Sequence, residues 1–172
     1  MLEMELKFQV DDLEVYARTL EEKGIGISDE VHEKNLVLDR MGRPLGKRDI
    51  LLRLRNCSRG TLVTVKRPLP STALKVRQER EAVLNCSTED ALALFELLGY
   101  GVVYRYEKKR RTALYENAVI CLDSLWFGDY VEIEASSEED VLKAVELLGF
   151  QPDQGIRFSY AALEKEAKSS QP

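Results

Sequence analysis

The feature that most constrains this chain is a run of charges set one residue apart inside a strand-like segment, Glu3-Met4-Glu5-Leu6-Lys7-Phe8. Successive side chains of a strand point to opposite faces, so Glu3, Glu5 and Lys7 share one face and apolar residues the other. Carboxylates two residues apart lie ~7 Å from each other and repel by roughly 2–3 kcal/mol at an effective dielectric near 20. A fold that carries this cost has a cation on that face. The pattern returns as Glu79 and Glu81 in Arg77-Gln78-Glu79-Arg80-Glu81, and as Glu132 and Glu134 in Tyr130-Val131-Glu132-Ile133-Glu134. Basic strands such as Leu52-Arg53-Leu54-Arg55 stand beside them. The pattern predicts a sheet with one charged face.

The periodicities give an order of elements. Strand-like alternation covers about residues 2–10, 28–39, 50–57, 61–67, 74–85, 102–115, 118–125 and 128–136. A helix after Asp11 or Asp12 runs to Lys23 and closes at Gly24; others start at Ser87 and Ser137 and close at Gly99 and Gly149. A short helix over about 159–168 precedes a polar Ser-Ser-Gln-Pro tail expected to fray. Residues 40–46 read as a surface loop, and a second loop follows Pro68 and Pro70. The segments 87–100 and 137–150 resemble each other and each follows a Glu-x-Glu strand, which favours duplication over chance likeness of two capped helices. Eight antiparallel strands can close on themselves. A small barrel with an apolar interior would leave these charges unplaced. The expected fold is therefore α+β: an eight-stranded antiparallel β-barrel with a polar, charged, water-filled lumen and helices on its apolar outside, in one domain over 1–172.

Bulk properties narrow the function. A net charge of −5 and a pI near 5.1 argue against a general binder of nucleic acid or anionic membrane. Cys57, Cys86 and Cys121 make no C-x-x-C pair and suit reduced thiols, hence a cytoplasmic setting. No signal peptide and no apolar run of about 20 residues is evident, so no membrane partner is expected. His32 is the single histidine, beside Glu33 and Lys34, and reads as a surface residue, which removes most zinc and serine-triad chemistry. Trp126 and Phe127 read as packing residues at a strand turn. There is neither a P-loop nor a Gly-x-Gly-x-x-Gly turn to cradle phosphate.

What remains is an acidic set (Glu3, Glu5, Glu79, Glu81, Asp123, Glu132, Glu134) and a basic set (Lys7, Arg53, Arg55, Lys66, Lys75, Arg77 and a pair from Lys108-Lys109-Arg110-Arg111). Carboxylates suit hard cations such as Mg²⁺ and Mn²⁺. Several guanidinium and ammonium groups suit a multiply charged phosphate chain. Together they point to a metal–polyphosphate substrate. The bland alternative is a polar-faced sheet laced by cross-strand ion pairs that binds nothing.

On these residues the chain resembles the CYTH superfamily, the triphosphate tunnel metalloenzymes, which include class IV adenylyl cyclases, thiamine triphosphatases and inorganic triphosphatases. Glu3-x-Glu5-x-Lys7 matches the N-terminal signature. Leu52-Arg53-Leu54-Arg55, Val65-Lys66-Arg67-Pro68, Lys75-x-Arg77-x-Glu79-x-Glu81, Leu122-Asp123 and Val131-Glu132-Ile133-Glu134 match later motifs in order. The resemblance implies an eight-stranded tunnel in which Glu3, Glu5, Glu132 and Glu134 hold metal with Asp123 close by. It implies that Lys7, Arg53, Arg55 and Lys66 grip triphosphate, and it places Arg77, Glu79 and Glu81 at tunnel positions. Catalysis would then involve Glu3, Glu5, Lys7, Glu79 and Glu81. For the basic quartet Lys108 with Arg110 is the preferred register over Lys109 with Arg111. Read as a nucleic-acid patch, the quartet lacks basic support elsewhere.

The expected partner is a small molecule bearing a triphosphate (tripolyphosphate, thiamine triphosphate or ATP), with Mg²⁺ or Mn²⁺ as cofactor and a homodimer left open. Attack by water on the terminal phosphorus makes a triphosphatase; attack by the ribose 3′-oxygen of ATP makes an adenylyl cyclase. The segment 32–39 lacks the aromatic-rich form of some class IV cyclases, whereas Phe158-Ser159-Tyr160 and the 128–134 stretch look cyclase-like. With no adenine-recognition motif visible, the sequence favours hydrolysis. A non-catalytic polyphosphate or nucleotide receptor is the third reading.

Overall fold

In the computed structural model, which describes residues 1–70 and 74–169, eight strands form a closed barrel. They are β1 (Leu2–Val10), β2 (Val31–Asp39), β3 (Leu51–Cys57), β4 (Gly60–Pro68), β5 (Lys75–Leu84), β6 (Gly101–Tyr115), β7 (Ala118–Leu125) and β8 (Gly128–Ala135). Their order around the barrel is β1-β5-β4-β3-β2-β6-β7-β8. The helices are α1 (Leu13–Glu22), α2 (Thr88–Leu97), α3 (Glu138–Leu147) and α4 (Tyr160–Ser169). The α+β barrel read from the alternation is the fold observed. The expected frayed tail lies, from residue 170 onward, outside the described residues, as do residues 71–73 of the loop after Pro70.

The chain packs as two compact units. The first holds most of β2, all of β3 and β4, most of β5, α2 and the start of β6; the second holds nearly all of β1, the end of β6, β7, β8, and α1, α3 and α4. In the second unit, Leu6 and Phe8 of β1, Ile120 and Leu122 of β7, and Val131 and Ile133 of β8 form one apolar cluster with Leu13, Ala17 and Leu20 of α1 and Val141, Ala144 and Val145 of α3. Alternation turns the intervening residues Glu5, Lys7, Cys121, Asp123, Glu132 and Glu134 to the other face. The first unit repeats the scheme on a smaller scale: Leu38, Leu52 and Leu54 pack with Ala91 of α2, and Arg53 and Arg55 turn the other way.

Local chemistry sets the element ends. Asp12 caps α1 by accepting from the Glu14 amide at 2.8 Å. Ser87 and Ser137 cap α2 and α3 through the amides of Asp90 and Asp140. In the β3–β4 hairpin Cys57 pairs with Gly60, whose φ is 122°. A Cβ there would stand 2.2 Å from the Leu84 carbonyl oxygen, so only glycine fits. β2 starts three residues later than the alternation predicts. Ile27 and Ser28 instead bond to the end of β6: Ile27 bridges Ala113, and the Ser28 amide donates to the Thr112 carbonyl at 2.8 Å. The loop after β2 is organised by one side chain. The Asp39 carboxylate accepts from the amides of Arg40 (2.7 Å), Leu45 (3.2 Å) and Gly46 (2.8 Å), and these bonds hold it below its ordinary pKa although partial burial pushes the other way.

Candidate active site

Strand register assembles the second unit's charged cluster. Across β1 and β8, Lys7 stands opposite Glu132 and Glu5 opposite Glu134; across β6 and β7, Arg110 stands opposite Asp123. The Lys7 ammonium lies 2.7 Å from Glu132. Arg110 donates to both oxygens of Asp123 and, at 2.6 Å, to Glu132, and its guanidinium lies 3.9 Å from Glu134. Lys108 donates to Asp123 at 2.8 Å, and Lys75 donates to Glu5. The phenol of Tyr160, the first residue of α4, also donates to Asp123, at 2.7 Å. Glu3, Glu5, Lys7, Lys108 and Glu132 are all buried, and Asp123 is wholly shielded from solvent.

Burial on this scale disfavours charge, yet Glu132, Asp123 and Lys7 remain ionised because each faces its opposite. Desolvation pushes Glu132 up, but Lys7, Lys108 and Arg110 hold it well below the usual carboxylate range. Asp123 is likewise lowered against desolvation by Arg110 and Lys108. Burial pulls Lys7 down; Glu132 and Glu5 outweigh it and the ammonium ends up raised. Burial raises the Cys121 thiol far above its ordinary value, so it stays protonated and inert. Burial and the charges of Glu132 and Asp123 raise Tyr160, which keeps its proton to donate.

The first unit has a looser cluster. Arg55 pairs with Glu33 at 2.7 Å, and Lys66 with Glu79 at 3.3 Å. Arg53 donates to Thr64 at 3.2 Å and to the Tyr106 hydroxyl at 3.4 Å, while Thr64 donates to Glu81 at 2.7 Å. Arg77 is buried and reaches both oxygens of Asp49 at 3.1 Å, and its Nε has no hydrogen-bond partner. The Asp49 side chain is itself 70% exposed.

The site residues expected from sequence other than Glu3 are placed by these contacts in one of the two clusters, and Glu3 is buried at the start of β1. Of the basic quartet, Lys108 and Arg110 lie among carboxylates, whereas Lys109 pairs with Glu30 and Arg111 with Glu14 at the surface. Sequence reasoning did not single out Glu33, Asp49 or Tyr160 as partners in these clusters. Glu33 could have been found from alternation, since it shares a face of β2 with Asn35, which stands opposite Arg55. Asp49 and Tyr160 carry no periodic signal.

The donor chemistry suits a hard cation. The acids offer only carboxylate oxygens, and Glu5 and Glu134 stand directly opposed in the β1–β8 register, with Lys75 beside Glu5 and Arg110 beside Glu134. Among the described residues no three acidic, histidine or cysteine side chains converge as a ready-made cage. Mg²⁺ does not need one, since it keeps several waters and commonly takes one or two carboxylates with substrate phosphates.

A CYTH domain, as described for that family, matches residues 1–160. The chain belongs to the CYTH family. A Methanocaldococcus jannaschii protein named "Putative adenylate cyclase" is 24% identical over 95% of this chain and 98% of its own length. Among solved structures, the PH1819 protein of Pyrococcus horikoshii is 25% identical with a TM-score of 0.77, covering 95% of this chain and 98% of that one. A Hippeastrum protein, named a "Putative adenylyl cyclase" that "reveals a dominant" triphosphatase activity, is 15% identical with a TM-score of 0.69, covering 95% of both chains. Among the described residues, no helix of this member is long and apolar enough to cross a membrane.

Proposed function

We propose that this CYTH protein is a Mg²⁺- or Mn²⁺-dependent triphosphatase that hydrolyses an inorganic or organic triphosphate. The observation that carries the reading is the second unit's cluster, where opposed Glu5 and Glu134 adjoin Glu132, Lys7, Lys108 and Arg110 on one buried strand face. Glu3, Glu5, Glu132 and Glu134 would hold the metal, which supplies charge neutralisation at the phosphates. Both oxygens of Asp123 already accept from Lys108, Arg110 and Tyr160, so its place is to hold those donors. Lys7, Lys108 and Arg110 would meet phosphate oxygens, Lys7 and Arg110 giving up contacts they now make to Glu132 while Asp123 keeps hold of Lys108 and Arg110. That exchange releases carboxylate oxygens as it consumes cations, so metal and triphosphate should bind better together than apart. Arg53, Arg55, Lys66 and Arg77 would grip further phosphate oxygens, with Glu79 and Glu81 orienting Lys66 and Arg53. Triphosphate hydrolysis needs this charge placement more than a nucleophilic side chain. The free cysteines suit a cytoplasmic setting.

Hydrolysis is favoured over cyclisation because no adenine-recognition motif is visible in the sequence, and the triphosphatase activity named for the Hippeastrum relative supports it. The class IV adenylyl cyclase reading has its own support in the Methanocaldococcus name. One experiment separates them. Pure protein with Mg²⁺ or Mn²⁺ is given tripolyphosphate, thiamine triphosphate or ATP, and products are resolved by chromatography. Phosphate release is expected. Cyclic AMP with pyrophosphate would replace hydrolysis by cyclisation, and tight binding without turnover would favour a receptor.

A further inference from the structure

Tyr160 stands where the C-terminal helix meets the charged cluster, and nothing in the triphosphate reading requires a tyrosine there. Its hydroxyl donates to Asp123 at 2.7 Å, and its ring lies beneath two ammonium groups, with Lys7 Nζ 4.2 Å and Lys108 Nζ 5.1 Å from the centroid. One side chain thus touches the carboxylate that anchors Arg110 and both buried lysines. The ring is set by Tyr130, edge-on at 5.4 Å, and by Phe127 at 6.3 Å. α4 is fastened further along: Trp126 Nε1 donates to the buried Glu164 at 3.1 Å, and Lys168 both pairs with Glu164 and covers the Trp126 ring. Just before α4, the Ile156 amide donates to the Lys7 carbonyl at 2.7 Å, tying the incoming segment to the strand that carries Lys7.

We propose that Tyr160 is a positioning residue with two separable parts, its hydroxyl fixing Asp123 and its ring face seating Lys7 and Lys108 for the triphosphate. The inference rests on the triphosphate reading of the same cluster. An ammonium over an aromatic face is attracted without being neutralised, so the ring orients the lysines while leaving their N–H donors for phosphate oxygens. A carboxylate in that place would orient them equally well and compete with the substrate. The hydroxyl acts differently: by occupying one lone pair of Asp123 it fixes the carboxylate that in turn fixes Lys108 and Arg110.

The test compares Tyr160→Phe and Tyr160→Leu with the unaltered chain on Mg²⁺-tripolyphosphate. Phe keeps the ring and loses the hydroxyl; Leu loses both. Tyr160→Phe should lower kcat by ~10–100-fold, the scale of losing an outer hydrogen-bond partner of a site carboxylate, with KM nearly unchanged. Tyr160→Leu should in addition raise KM by roughly 5- to 30-fold, the loss of desolvated cation–π contacts. The chain's single tryptophan, Trp126, bonds to α4, so its emission reports whether the helix stays docked. Emission should be the same in Tyr160→Phe and the unaltered chain. Unchanged kcat in Tyr160→Phe, or equal losses in both variants that track a shift in Trp126 emission, would overturn the proposal in favour of simple helix anchoring. If the unaltered chain makes cyclic AMP instead, hydrolysis fails and the same split is read on ATP. If nothing turns over, tripolyphosphate binding by calorimetry decides: weakening by Leu and not by Phe sustains the ring's role, and equal binding in all three chains overturns it.

Discussion

The two charged clusters use the same residue types and both bury bases, but they differ in how exposed some of their acids are. In the second unit a wholly buried Asp123 serves two cations and a phenol, and Arg110 reaches three carboxylates. In the first unit Arg53, Lys66, Arg77 and Glu33 are buried as well, but two acids reach solvent, Asp49 through 70% of its side chain and Glu81 through 39%. Enclosure changes what a pair is worth. Removing one partner of a buried pair strands a charge, whereas an exposed pair adds little net stability. The second cluster is thus a closely knit charge array, whereas the first includes two pairings, Arg77 with Asp49 and Arg53 with Glu81, whose acid is open to solvent.

The largest expected effect breaks the enclosed cluster. Glu132→Ala leaves Lys7 buried without its paired carboxylate and should cost ~3–5 kcal/mol in urea unfolding, while Glu81→Ala, whose side chain is 39% exposed, should cost at most ~1 kcal/mol. Equal costs would erase the distinction. The same contrast has a pH signature. Glu132 and Asp123 have lowered folded-state values, so their stabilisation is fully present above the unfolded carboxylate range and is lost as pH falls through the folded values. Lys7 is raised, so its share is present below the unfolded lysine value and lost only as pH climbs through its folded value. Stability followed by circular dichroism should fall in strong acid for the native chain, and less steeply for Glu132→Gln.

Next in size is Glu5→Ala. It should lower tripolyphosphate turnover by ~10²–10³-fold, the scale of losing one preorganised electrostatic group, while the stability change sets the lost Lys75–Glu5 pair against the relief of Glu134 from a like-charged neighbour. Full activity in Glu5→Ala, or in EDTA, would remove the metal assignment. In the first unit, Arg53→Ala or Arg55→Ala should weaken tripolyphosphate binding by roughly 10- to 150-fold, the loss of one charge-assisted contact, and weaken monophosphate binding much less. Equal weakening for both ligands would place these arginines outside the triphosphate site. The smallest change tests displacement: Asp49→Asn removes the carboxylate that now occupies Arg77 and should tighten tripolyphosphate binding by about 2- to 5-fold, within the worth of a pair whose acid is exposed. Weaker binding in Asp49→Asn would show that Asp49 orients Arg77 instead of competing for it.

The paired helices α2 and α3 mark where sequence stops. Both have a serine cap, an Asp three residues on, and a closing glycine with positive φ. These local rules depend only on backbone geometry, and both helices form as read. Burial is another matter: α3 buries Val141, Ala144 and Val145, whereas α2 buries Ala91 and leaves Leu94, Leu97 and Leu98 exposed. Hydrophobic period alone cannot report that difference, because it depends on what surface the neighbouring strands offer.

By itself the sequence determined the strands, the caps and which residues share a face, because a strand's period of two and a helix's orphan amides are properties of a few consecutive residues. It thereby determined that Glu5, Lys7, Glu132 and Glu134 would be together on one side of a sheet. Only the tertiary structure decided who answers whom. Lys75 reaches Glu5 across 70 positions of chain, Arg77 reaches Asp49 across 28, and Tyr160 reaches Asp123 across 37. Such partners are set by strand register and by where a loop or helix returns, and electrostatic attraction acts through space without regard to sequence distance.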